Sequence, residues 1–80
     1  MTSQATQQVA LTFGANVRLA RERAGLKQRE IARALDMETL NVHRWEKGKH
    51  VPTMTNLTRL ADVLGVEVAW LLTEHDEAAA

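Results

Sequence analysis

Residues 41–52, NVHRWEKGKHVP, concentrate side chains that could bind a polyanion. The segment contains Arg44, Lys47 and Lys49 with two histidines, but also a tryptophan and one carboxylate, Glu46. Cationic side chains contact the phosphates of DNA, and arginine also recognises guanine edges. Because an apolar ring and an opposite charge lie within the same segment, we expect it to have two faces.

A helical wheel separates these faces in the helix expected at residues 38–47. With about 100° per residue and Val42 inward, Trp45 lies about 60° to one side and Glu46 about 40° to the other. Leu40 and Arg44 each lie about 160° from Val42. The outward stripe also contains Lys47, and its flanks carry Thr39, Asn41 and His43.

An inward carboxylate at Glu46 requires a partner, because an unpaired buried charge is costly. Arg21 lies one helical turn after Val17, near the inward face of the first predicted helix. A guanidinium can bind a carboxylate in two places. We therefore predict an Arg21–Glu46 ion pair that joins the first helix to the third.

The sequence gives little support for a metal site or a catalytic site. His43 and Glu46 have a spacing that metal ligands can have, but the chain contains no cysteine and no second close pair. Ser3 is the one serine, and no serine–histidine–carboxylate arrangement is evident. We expect no metal, no cofactor and no enzymatic activity.

The charge distribution favours an anionic partner more than the net charge does. The formal charge of the 80 residues is zero. Residues 1–50 contain nine Lys or Arg and five Asp or Glu, a balance of +4, whereas residues 51–80 have a balance of −4. A basic half can face phosphates while an acidic half points away, although an uneven solvated surface would look the same. No secretory signal or membrane-spanning segment is evident, and we expect a cytoplasmic protein.

Helical signals recur along the chain, whereas strand signals are poor. We predict a compact all-α domain of five short helices at about 9–24, 28–35, 38–47, 53–64 and 67–72. The domain is expected to span residues 9–73, between a flexible extension at 1–8 and a disordered acidic tail at 74–80. Residues 28–47 have the pattern of two helices joined by a tight turn, a helix-turn-helix. Asp36 lies where that turn requires a positive φ.

Three stretches together resemble the Cro and phage-repressor type of helix-turn-helix domain, also called Xre-like. They are FGANVRLARERAGLKQREIARALDM, WEKGKHVP and LTRLADVLGVEVAWLL, about three quarters of the chain. The resemblance implies a lambda-repressor-like fold whose third helix enters the DNA major groove. It also agrees with the Arg21–Glu46 pair, because an Arg and a Glu at the matching places often pair in this family.

The resemblance also implies roles for individual positions. Gln28 matches a residue that binds a phosphate, as do Asn41 and the segment Lys47–Lys49. Base-reading positions are matched by Thr39, Leu40 and Arg44, and we expect His43, which flanks them, to read bases as well. Three positions depart from the family pattern. Lys27 replaces a Ser or Thr helix cap and could contact a phosphate instead, Asp36 replaces the turn glycine, and Leu40 replaces a polar base reader.

These observations predict a sequence-specific regulator of transcription that binds double-stranded DNA, most simply a repressor. Such a protein would be prokaryotic or phage-encoded and nucleoid-associated, binding a palindromic operator as a homodimer. The alternative is a protein-interaction or antitoxin module that uses the same fold. A module of that kind would carry a broader apolar patch on the outward face of the third helix. Leu40 itself could contact a thymine methyl or be an exposed leucine without a role.

Overall fold

A computed structural model describes residues 4–75, and all the regular secondary structure within this range is helical. It confirms the predicted all-α fold of five helices. Their bounds are α1 (Gln4–Arg23), α2 (Gln28–Ala34), α3 (Thr39–Glu46), α4 (Met54–Leu64) and α5 (Val68–Leu72). The helix-turn-helix therefore consists of α2, a turn at residues 35–38, and α3.

The turn between α2 and α3 depends on Asp36. Its φ is 55°, the one positive φ of a residue other than glycine in the described range. This conformation lets Met37 N donate to Ala32 O at 2.9 Å and Asp36 N donate to Arg33 O at 3.1 Å. The last carbonyls of α2 are thus satisfied by the pattern that usually ends a helix with glycine. The positive φ predicted for Asp36 is confirmed.

The hydrophobic core lies where α1 crosses α3 and α5, and α2 and α4 close its other sides. The Phe13 and Trp45 rings meet edge to face, with centroids 6.4 Å apart. The helical pattern of the sequence predicts seven inward residues for the second and fourth helices, and all are buried: Ile31, Ala32, Leu35, Leu57, Leu60, Ala61 and Leu64. It predicts Val68, Leu71 and Leu72 as inward in the fifth helix, but Leu72 is 39% exposed at the end of α5.

The helix α1 begins at Gln4 rather than near Val9, so it includes residues that the sequence assigns to a flexible extension. Residues 4–9 are exposed, so burial in the hydrophobic core does not impose their helicity. Adding residues to an existing helix avoids the cost of nucleation, and Gln and Ala favour the helical conformation. Residues 1–3 of the predicted extension lie outside the described residues.

The predicted disordered tail starts with two residues that contact the domain. Gln8 Nε2 donates to Glu74 Oε1 at 3.3 Å. The His75 ring stacks on Trp70 with centroids 4.4 Å apart, and its Nε2 lies 2.8 Å from the Trp70 carbonyl oxygen. The remaining residues of the predicted tail, 76–80, lie outside the described part of the chain.

A buried amide fixes the end of α5 to α1. Asn16 is fully buried in the middle of α1. Its Nδ2 donates to the carbonyl oxygens of Trp70 at 3.2 Å, Leu71 at 2.9 Å and Thr73 at 2.8 Å. The last carbonyls of any helix lack partners within the helix. Asn16 supplies that partner for α5, a helix too short to be stable by itself.

Candidate nucleic-acid interface

The helix α3 separates its apolar and polar side chains as the wheel predicts. Val42 and Trp45 are 0% and 3% exposed, and they face the core. Leu40, on the opposite side, is 52% exposed. We call the exposed residues of this side the outward face of α3: Thr39, Leu40, His43, Arg44 and Lys47. Asn41 flanks this face and is half-buried.

Arg21 and Glu46 join α1 to the end of α3. Arg21 Nε donates to Glu46 Oε2 at 2.6 Å, and its second terminal nitrogen donates to Oε1 at 3.1 Å. The two side chains are 16% and 7% exposed. The hydrogen bond to Glu46 raises the pKa of Arg21 above its usual value, against the opposing effect of burial. The Arg21 guanidinium therefore stays charged, and its two hydrogen bonds to Glu46 hold the inward side of α3.

Gln28, expected to bind a phosphate, also takes part in this network. Its Nε2 donates to Glu46 Oε1 at 3.0 Å, so one amide hydrogen is already used within the domain. A phosphate contact from Gln28 would have to use the other amide hydrogen. The third nitrogen of the Arg21 guanidinium, Nη1, donates to the carbonyl oxygen of Leu26 at 3.1 Å. Three helices and the loop before α2 thus meet at one guanidinium–carboxylate pair.

A glycine lets α1 and α3 approach closely beside this pair. A Cβ on Gly14 would overlap the carbonyl oxygen of Trp45 and lie 2.9 Å from that of Glu46. Only a residue without a side chain allows this contact. Sequence reasoning missed Gly14, although a glycine inside a predicted amphipathic helix is a recognisable signal of close packing.

The start of α2 is stabilised despite the lysine at its cap position. Lys27 N donates to Glu30 Oε1 at 2.8 Å, the side-chain half of a capping box. The Lys27 side chain cannot accept a hydrogen bond, and it is exposed. Glu30 therefore satisfies the N–H of the cap residue itself, although no Ser or Thr oxygen caps the first turn, and the Lys27 ammonium stays accessible to an anion.

Two further cations lie where α3 ends. Lys47 N donates to His43 O at 3.1 Å, and Lys49 N donates to Arg44 O at 3.1 Å. Both side chains are exposed. The backbone of this turn is therefore tied to the last turn of α3, and both ammonium groups are carried at the carboxyl end of the outward face.

The described residues do not suggest another kind of site. Within residues 4–75 there is no group of three or more His, Cys, Asp or Glu side chains that could hold a metal ion. None of the helices in that range is long and apolar enough to cross a membrane.

Comparisons with known proteins agree with this geometry. A family model described as a helix-turn-helix domain matches residues 12–71. The chain is 37% identical over 62 residues to the HTH-type transcriptional regulator DicA of Escherichia coli, an alignment that covers 78% of this chain and 46% of DicA. The chain thus spans less than half the length of this relative.

Solved structures share the fold. The hypothetical transcription factor NHTF from Neisseria superposes with a TM-score of 0.78 at 27% identity, covering 91% of this chain and 85% of NHTF. The restriction-modification controller protein C.AhdI from Aeromonas hydrophila gives 0.72 at 27% identity, with 78% and 94% covered. The longer HppE gives 0.77 at 27% identity, with 81% of this chain but 36% of HppE covered.

The chain is a helix-turn-helix domain, in which α2 and α3 form the motif that gives the class its name. Within that class it belongs to the Cro and phage-repressor type, the Xre-like family of the regulators it matches.

Proposed function

We propose that this chain binds double-stranded DNA in a sequence-specific manner and regulates transcription, with α3 in the major groove. The observation that carries the proposal is the two-faced α3. Its buried side is fixed to the core by Val42 and Trp45, and its outward face carries only exposed side chains. A major groove about 12 Å wide admits one helix, and a rigid helix can read base edges there.

Within this proposal, the residues of the interface divide by task. Arg44 reads a guanine through O6 and N7, and Thr39, Leu40 and His43 contact neighbouring bases. Lys27, Gln28, Asn41, Lys47 and Lys49 bind phosphates and so fix the orientation of the domain. Lys27 and Gln28 are the residues at the amino end of α2, where the helix dipole also favours an anion.

We further propose that the protein acts as a cytoplasmic repressor and that two copies bind a palindromic operator. A two-fold dimer would place its α3 helices in successive major grooves about 34 Å apart. Occupying an operator in this way blocks polymerase by simple exclusion. The regulators that the chain matches support the assignment to transcription, and the sequence resemblance to phage repressors supports repression.

The alternative, a module that binds another protein, fits the outward face less well. Leu40 is its one large apolar side chain, and its neighbours are polar or charged. Protein interfaces usually have a core depleted in charged residues. On the outward face of α3, in contrast, the charged residues Arg44 and Lys47 lie beside Leu40.

The proposal is tested by selecting tight binders from a pool of random DNA duplexes at near-physiological salt. We expect an inverted repeat with half-site centres about one helical turn apart. Arg44→Ala should then relax the preference at one position of each half-site and cost about 1–3 kcal/mol of binding free energy. A pool that stays random, with binding that falls steeply with salt, would contradict sequence-specific recognition.

Arg59→Ala is the matched control. Arg59 is an exposed arginine on α4, and its side chain contacts Asn56 of the same helix at 3.4 Å. Arg59→Ala removes the same charge as Arg44→Ala, but Arg59 lies outside the outward face of α3. It should leave the selected sequence unchanged, and an equal loss of specificity in both variants would refute the role of Arg44.

A further inference from the structure

Leu40 is an apolar side chain in an otherwise polar surface. It is 52% exposed in the first turn of α3, on the side opposite Val42. It is not one of the buried residues that form the hydrophobic core, whereas Val42 and Trp45 of the same helix are. The fold therefore gives no reason for a leucine at this position.

The surroundings of Leu40 also limit what it can bind. Thr39, His43 and Arg44 are all exposed around it, so no continuous apolar patch extends from it. A side chain in this setting suits an apolar group about the size of a methyl, next to hydrogen-bonding groups. The major groove offers one such group, the methyl on C5 of a pyrimidine.

We propose that Leu40 recognises the C5-methyl of a pyrimidine, so that this chain distinguishes thymine from uracil and 5-methylcytosine from cytosine. This inference rests on the proposed placement of α3 in the major groove. Thymine and 5-methylcytosine present the methyl at the same ring position, and leucine contacts only that methyl. The site is therefore sensitive to cytosine methylation wherever a cytosine occupies this position.

The spacing of Leu40 and Arg44 adds a constraint on the half-site. They are four residues apart on one face, which corresponds to about 6 Å along the helix axis. Base pairs stack about 3.4 Å apart. If Arg44 binds a guanine, the methylated pyrimidine then lies within about two base-pair steps of that guanine. The half-site should thus contain a thymine close to a guanine.

The effect of the methyl can be scaled from the hydrophobic effect. Transferring one CH₂-sized group from water into an apolar contact raises the binding constant by about fourfold. We expect replacing that thymine by deoxyuridine to weaken binding by about fourfold in each half-site. The replacement removes a methyl and leaves every hydrogen-bonding group of the base pair unchanged.

The experiment uses the full 80-residue chain and the duplex selected from the random pool. Each thymine of a half-site is replaced in turn by deoxyuridine, and Kd is measured by fluorescence anisotropy. In a second series, cytosine and 5-methylcytosine are compared at the sensitive position. We expect one thymine per half-site to be sensitive, and 5-methylcytosine to bind about fourfold more tightly than cytosine there.

Leu40→Ala assigns the effect to the leucine. Alanine is compatible with a helix, and the variant should give an unchanged circular dichroism spectrum. It should bind the thymine and deoxyuridine duplexes equally, whereas Arg44→Ala should bind both more weakly and keep the difference between them. The measurement on the wild-type chain is informative even if a variant fails to fold.

The possible results separate the two proposals. A selected site in which no thymine responds to deoxyuridine overturns the role of Leu40 and leaves sequence-specific binding intact. A response that persists in Leu40→Ala also overturns it. A pool from which no sequence is enriched overturns sequence-specific binding, and the inference about Leu40 fails with it.

Discussion

Asn16 Nδ2 donates to the carbonyl oxygen of Leu71 at 2.9 Å, although 55 positions separate the two residues. The same nitrogen binds two neighbouring carbonyls, so one buried amide serves the whole carboxyl end of α5. Asn16 Oδ1 is buried and has no hydrogen-bond partner among the described residues. The fold therefore uses the NH₂ group of the Asn16 amide and not its oxygen.

This one-sided use predicts the effect of two substitutions at Asn16. Asn16→Leu removes the donor and leaves buried carbonyls unsatisfied, which should lower the free energy of unfolding by about 1–3 kcal/mol. Asn16→Asp should lower it more at pH 7, because a carboxylate would face the same carbonyl oxygens. Urea denaturation followed by circular dichroism measures both. Asn16→Asp at least as stable as Asn16→Leu at pH 7 would contradict the assignment.

The pH dependence of the Asn16→Asp variant has a definite sign. Burial among carbonyls raises the pKa of the introduced carboxyl in the folded state. The folded state then binds more protons than the unfolded state, so stability relative to wild type increases as the pH falls from 7 towards about 4. The protonated acid can donate to one carbonyl. Parallel curves for variant and wild type over this range would exclude this explanation.

The Arg21–Glu46 pair should be more important for stability than an exposed pair of the same type. Arg21→Ala leaves a nearly buried carboxylate with only Gln28, and it should cost about 3 kcal/mol of unfolding free energy. The exposed pair Arg18–Glu22 provides the control. Arg18 Nε lies 3.5 Å from Glu22 Oε2, and the two side chains are 66% and 55% exposed. Arg18→Ala should cost less than about 0.5 kcal/mol.

A double-mutant cycle separates the pair from other effects of the Arg21 substitution. If the two charges interact as described, Arg21→Ala together with Glu46→Ala should cost less than the sum of the single substitutions. Equal losses for Arg21→Ala and Arg18→Ala, or strict additivity in the cycle, would argue that the pair contributes little.

Gly14→Ala tests the close approach of α1 and α3 through the sign of its effect. Helix propensity alone predicts that alanine inside α1 stabilises the protein by about 1 kcal/mol. The overlap with the carbonyl oxygens of Trp45 and Glu46 predicts a loss of about 1–3 kcal/mol instead. Thermal denaturation distinguishes a raised from a lowered Tm. A raised Tm would mean that the helices can separate without cost.

The role proposed for Lys47 is tested by the salt dependence of DNA binding. If Lys47 binds one phosphate in each half-site, Lys47→Ala should reduce the magnitude of the slope of log K against log salt by about 0.9 per half-site and leave the selected sequence unchanged. Arg59→Ala also removes one positive charge, so it is the control, and it should not alter this slope. A variant Lys47→Ala with an altered half-site preference would indicate a contact with bases instead.

Local patterns were sufficient to predict much of this structure. Once Val42 is taken as inward because it is apolar, the helical period places Arg44 outward, since the angle between them is fixed by the geometry of a single helix. The positive φ of Asp36 follows in the same way from the tight turn between two helices. The family resemblance added the expected roles of individual positions, which the period cannot give.

Features that depend on distant partners could not be derived. Asn16 lies three residues after Phe13 and four before Ala20, so a polar residue on an apolar stripe was a visible signal. The sequence does not say, however, that its acceptors are carbonyls at the end of α5. The start of α1 at Gln4 was missed because residues 4–8 are mostly polar and have no apolar period to reveal a helix.

The two faces of α3 make stability and recognition independently variable. Thr39, Leu40, His43 and Arg44 are all exposed, and none of them belongs to the buried core. Substitutions at these four positions should leave the fold intact, whereas Trp45 and Glu46 contribute to it. Under the role proposed for α3, descendants of this domain would acquire new target sequences through a few surface changes, without passing through unstable intermediates.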